Sequence, residues 1–132
     1  MNLYADALDK AIGSAPKRGD RAPGAPNSLA AWFIGQMEPP VKTRFKAPGA
    51  LQPSSQFEIT AARAAFDAAI DRQQRLLADA WTIDLTRKRF ANPLLFGLPI
   101  FNVASAFLIT LAHVRRHVAQ AQAVRAARDA RR

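Results

Sequence analysis

The chain has 132 residues, 49% of them apolar, which is enough for one domain with its own core. It has no cysteine, so disulfides, thiolate metal sites and cysteine nucleophiles are excluded. Nineteen Lys and Arg, most of them arginine, against ten Asp and Glu leave a net charge of +9, which raises the question of an anionic partner.

In chain order, Leu3, Tyr4, Ala7, Leu8, Ala11 and Ile12 follow the spacing of an apolar helical face, so the chain opens in a helix over 1–12. Asp6, Asp9 and Lys10 interrupt that stretch, which has neither the basic start nor the apolar run of a secretory signal. Residues 13–27, GSAPKRGDRAPGAPN, form a loop rich in proline and glycine. Ser28 is the expected N-cap of a short apolar helix, SLAAWFIGQM, that stops at Pro39–Pro40. A basic connection follows, with a loop at 44–55. A long helix is expected from about Gln56 to Ala80, with Phe57, Ala61, Ala65, Phe66, Ala69, Ile70, Leu76 and Leu77 on its buried stripe. Trp81–Asn92 reads as a turn region holding the cluster Arg87-Lys88-Arg89. Asn102 caps a last helix from Val103 to about Arg128, ahead of a basic tail at 129–132. No segment alternates with period two, so the expected fold is all-α, a single helical domain over 1–132.

Two apolar features need separate readings. Asn92–Val114 carries no Asp, Glu, Lys or Arg and is long enough to cross a bilayer. Pro93, Gly97, Pro99 and Asn102 crowd its first half, however, so it divides into a buried loop, PLLFGLPIF, and the start of a core helix. A membrane span is therefore not expected, and a cytoplasmic setting suits the missing cysteines. Trp32 and Trp81 sit at helical spacing, where the ordinary role of an aromatic is core.

The only two histidines, His113 and His117, stand four apart on the last helix. At that spacing both imidazoles can reach one divalent ion. Gln120, one turn on, could hydrogen-bond a ligand or a bound water. The competing reading is two solvated rings on a basic helix. Spacing alone leaves both open, because the chain has no third histidine, and Asp6, Asp9, Glu38 and Asp84 show no spacing that points to the pair. Arg115 and Arg116, between the rings in sequence, are expected to repel a cation. No Ser/His/Asp arrangement or phosphate-binding glycine loop is legible, so no catalytic residue is assigned.

The run NVASAFLITLAHVRRHVAQAQAVRAA, with its His-x-x-x-His-x-x-Gln, resembles the last helix of the DinB-like (DinB/YfiT) superfamily. EPPVKTRFKAPGALQP, ARAAFDAAIDRQQRLLADAWTIDL and NPLLFGLPIF resemble, in order, its basic connection, its third helix and the lead-in to its fourth. The resemblance implies an up-down four-helix bundle and a divalent metal, zinc or nickel, held by His113 and His117 with a third histidine. MNLYADALDK is similar to the residues just after that third histidine. The family's first helix and first ligand would thus precede Met1, making this an N-terminally truncated bundle that binds metal weakly or not at all. Characterised relatives include thiol-dependent transferases and isomerases.

Three functions are consistent with these features. The first is a metal-binding transferase or hydrolase acting on a small molecule, thiol-dependent if it follows those relatives. The second is a non-catalytic helical interaction protein or remnant that forms a homodimer. The third is a nucleic-acid binder using Arg115, Arg116, Arg125, Arg128, Arg131 and Arg132, since the last 18 residues carry a net +5. Aromatic residues for base stacking are absent from that segment, which favours a solvated tail over nucleic acid.

Overall fold

A computed structural model describes residues 2–19, 25–40 and 58–132. Among these, four α-helices and one 3-10 turn are present, so the fold is all-α. The helices are α1 (Asn2–Gly13), α2 (Ser28–Met37), α3 (Ile59–Ala80) and α4 (Val103–Asp129). No described helix is long and apolar enough to cross a membrane. The expected loop at 44–55, Phe57 and the expected helix start at Gln56 lie outside the described residues.

Two helix starts show how side-chain oxygens set the boundaries. α2 is capped by Asn27, not by Ser28: Asn27 Oδ1 accepts from the Ala30 N–H at 2.8 Å, while its Nδ2 donates to the Ile100 carbonyl at 3.0 Å. Asparagine wins because its amide can do both at once, tying the cap to the α3–α4 connection. α4 is capped by Asn102 as expected, whose Oδ1 takes the Ser105 N–H at 2.8 Å. The other exposed donors of that first turn are also satisfied. Val103 N–H donates to Lys88 O, Ala104 N–H to Leu85 O and Ala106 N–H to Asn102 O, each at 3.0 Å.

Cross-chain contacts fix the directions. Asn27 lies against Ile100 and Glu38 pairs with Arg115 at 2.7 Å, so α2 runs alongside α4 in the same sense. Asp6 pairs with Arg72 at 2.6 Å and Arg18 N–H donates to Thr82 O at 2.9 Å, so α1 runs in the same sense as α3. Tyr4 Oη donates to Ala106 O at 3.3 Å, bringing α1 to α4. Helices α1 and α3 thus run parallel, as do α2 and α4, with α2 packed on α4, α4 on α1 and α1 on α3.

The core joins Ala5, Leu8 and Ile12 of α1 to Leu76 and Ala80 of α3 and to Val103, Ala106 and Ile109 of α4. Ala11 of α1, Ala30 of α2, and Ile83, Phe90 and Phe101 from the connection between α3 and α4 also belong to it. That connection is only partly buried, against expectation. Phe101 is inside, but Phe96 is 98% exposed and Leu98 is also exposed, because the segment turns outward there. The Asn92 carbonyl accepts N–H groups from both Leu95 and Gly97, and the turn closes with Gly97 at φ +78°. No atom lies where a Cβ on Gly97 would fall, so Gly97→Ala meets only backbone strain. We expect it to destabilise the fold by about 1 kcal/mol in chemical denaturation. An unchanged midpoint would mean that the turn relaxes freely.

Two further expectations fail on exposure. Trp32 and Trp81 are each 61% exposed and belong to no core, and Arg18 stacks over the Trp81 ring at 5.0 Å. On α3 only Leu76 and Ala80 are buried, while Phe66 and Leu77 face solvent. For Phe66 the reason is length: α3 has 22 residues against 12 for α1, its packing partner, so its first half runs past α1, whereas Leu77 points about 100° away from the buried Leu76.

Candidate metal centre

α4 spans 27 residues, about 40 Å, but its buried positions stop at Arg116. Val103, Ala104, Ser105, Ala106, Ile109 and Ala112 lie in the half clamped by α1 and α2. The histidines stand where this clamped half ends. At about 100° per residue, His113 and His117 sit roughly 60–100° around the helix from the middle of the buried stripe. Both are on one face of one continuous helix, as the spacing predicts, but the apolar residues around them predict rings turned toward the bundle interior or its mouth, whereas both are exposed, which counts against a metal role.

Their geometry is convergent. His113 Nε2 and His117 Nε2 are 3.0 Å apart, and the rings meet edge to face at 4.4 Å between centroids. His117 Nδ1 is 3.0 Å from Gln120 Oε1. An amide oxygen can only accept, so Nδ1 of His117 carries the proton and its Nε2 presents a lone pair. His113 Nε2–H then donates to that lone pair. Gln120, expected to hydrogen-bond a ligand or a bound water, instead lies against the far nitrogen of the His117 ring.

Two ligand nitrogens on one ion at about 2.0–2.1 Å are separated by about 2.9–3.3 Å, depending on octahedral or tetrahedral angles. The 3.0 Å gap between the two Nε2 atoms falls in that interval. A third donor is not at hand: among the described residues no group of three His, Cys, Asp or Glu could hold an ion. The four carboxylates considered from the sequence have other work. Asp6 and Asp9 face Arg72, Glu38 pairs with Arg115, and Asp84 accepts from the Thr86 N–H and hydroxyl.

The arginines between the histidines are less hostile than their sequence positions suggest. Arg115 is two residues from each histidine, which puts it about 160–200° around the helix, where Glu38 offsets its charge at 2.7 Å. Arg116 is buried on the core face. His113 is nonetheless held below the ordinary imidazole value of 6.5, first by partial loss of hydration and then by electrostatic repulsion from His117 and Arg116 against a protonated ring. The folded state therefore prefers this ring neutral. Its contribution to stability is complete above the unfolded value of 6.5 and is lost as pH falls through the lower folded value. Ring-proton NMR should show His113 titrating below 6.5; a midpoint above that would remove the repulsion argument.

No family model, curated protein or solved structure matches the chain.

Proposed function

We propose that the protein is a DinB-like, divalent-metal-binding protein that acts as a transferase or hydrolase on a small molecule. The observation that carries this reading is the 3.0 Å approach of the two Nε2 atoms, with Gln120 holding the proton on the far nitrogen of His117. That pattern, a ligand nitrogen aimed at the ion and the other ring N–H fixed by an oxygen, is how metal-bound imidazoles are oriented. His113 and His117 would hold zinc or nickel, with the remaining positions filled by solvent or by a donor outside the described residues. When bound, the ion would lower the pKa of a thiol or water and make it nucleophilic near neutral pH. The protein's own part is to keep both imidazoles neutral and converging. For His113 that requires the ring proton to sit on Nδ1 and not on Nε2, and because protonation to the imidazolium removes the lone pair altogether, binding should weaken as pH falls.

Calorimetric titration of the full chain with zinc tests this. We expect weak binding, lowered about tenfold or more by His113→Ala or His117→Ala, and about tenfold by Gln120→Ala, whose loss frees the wrong tautomer. Zinc binding that survives both histidine substitutions would place the metal elsewhere and end the reading.

A second reading is favoured by a different observation. Leu111, Val114 and Val118 are exposed on the side of α4 opposite its buried stripe, and Ile59, Phe66 and Leu77 are exposed along α3. In this reading the protein is non-catalytic and pairs with a second copy through these apolar faces. A concentration-independent monomer in sedimentation would remove it.

A further inference from the structure

The histidine pair is one end of a longer feature. A hollow of about 550 Å³ runs along α4, and its described lining is His117, Gln120, Ala121, Val124, Arg125 and Arg128. Going along the helix, the lining passes from imidazole and amide, over two small or apolar side chains, to two guanidiniums. His117 and Arg128 are eleven residues apart, about 16 Å along the axis. The metal reading does not use the basic end.

Arg125 and Arg128 are neighbours on adjacent turns, and each faces Asp129 only at long range, through Nε at 3.9 Å and 3.8 Å. One carboxylate between two guanidiniums leaves a net positive charge there. Among the described residues neither guanidinium makes a hydrogen bond to the protein, so their planar donor pairs are available for an oxyanion. The feature is open along one exposed face of α4, and no aromatic belongs to its described lining, which removes the stacking platform that single-stranded nucleic acid uses.

We propose that this hollow takes an elongated anionic small molecule, its carboxylate or phosphate held by Arg125 and Arg128, its middle over Ala121 and Val124, and its reactive end at His117. The proposal rests on the metal reading for what happens at His117, but the oxyanion contact stands without it. It also names the substrate class of that site: a molecule with a carboxylate or phosphate roughly 10 Å or more from the reacting atom, the reach set by the rise between the two ends.

The test uses the metal-free full chain at constant ionic strength. Calorimetry is run with tripolyphosphate and with propane-1,2,3-tricarboxylate, which separates phosphate from carboxylate preference. Arg125→Ala and Arg128→Ala should each weaken the better probe about fivefold, while Arg131→Ala and Arg132→Ala, which remove the same charge outside the hollow, should change it less than about twofold. His113→Ala should leave oxyanion affinity unchanged while lowering zinc affinity, so either reading can fail alone. Equal losses for all four arginine variants would show diffuse attraction to a basic tail and overturn the proposal. Tighter binding of a single-stranded oligonucleotide than of either probe, with equal dependence on the four arginines, would overturn it in favour of nucleic acid.

Discussion

Phe90→Ala is expected to destabilise the fold by about 3–5 kcal/mol, a large share of the 5–15 kcal/mol typical of a domain. Phe90 is 1% exposed and is among the largest fully buried side chains described. It reaches the core from the connection between α3 and α4, where its N–H donates to Phe101 O at 3.2 Å. Its ring meets Tyr4 edge to face at 5.4 Å between centroids. Truncation leaves a ring-sized void between α1 and α4 that backbone tied on both sides cannot close. Urea denaturation should show a lower midpoint with unchanged slope. A loss below about 1 kcal/mol would mean that the connection does not wedge the helices together.

The second large effect belongs to Tyr4, the only tyrosine in the chain. Burial raises its phenol from 10.0 to about 12, offset slightly by a hydrogen bond with Thr110. Since the folded value lies above the unfolded one, this contribution to stability is complete below pH 10 and is lost as pH rises through about 12. Two units correspond to about 3 kcal/mol, an order-of-magnitude figure. Ultraviolet titration of tyrosinate should therefore give one late transition that moves back toward 10 when the protein is unfolded in urea. A native midpoint near 10 would mean that α1 does not bury the ring against Phe90. Tyr4→Phe should abolish the pH dependence in this range and cost about 1 kcal/mol at neutral pH through the lost bond to Ala106 O.

Much of the scaffold was legible. Asn102, Pro39–Pro40 and the periodicity of 3–12 marked elements that are present within a residue or two, because caps, breakers and apolar spacing act locally. Ser28 and Asn27 are adjacent and both are good caps. What chose Asn27 was Ile100, 73 residues away, which no local rule contains. The burial of Phe90 and the exposure of Phe96 were likewise invisible, since both sit in a loop whose path is set by long-range carbonyl contacts. At the candidate site, spacing placed His113 and His117 together but treated Arg115 as their neighbour. Helical rotation and Glu38 put its charge on the other side. The separation of the ring nitrogens and the approach of Gln120 to His117 depend on side-chain rotamers, which spacing does not specify.

The uneven clamping of α4 has a consequence for how the molecule opens. Residues 103–112 are held by α1 and α2, so their amides are freed only when the whole domain unfolds. Beyond Arg116 nearly every described side chain is exposed, and that half persists on little more than its own helical propensity, which for so few turns is marginal in water. His113 and His117 straddle the joint between the two regimes. Any ligand that bridges them recognises the wound turn and not the frayed one, so its binding free energy would act as a staple that carries order outward from the core toward Arg125 and Arg128.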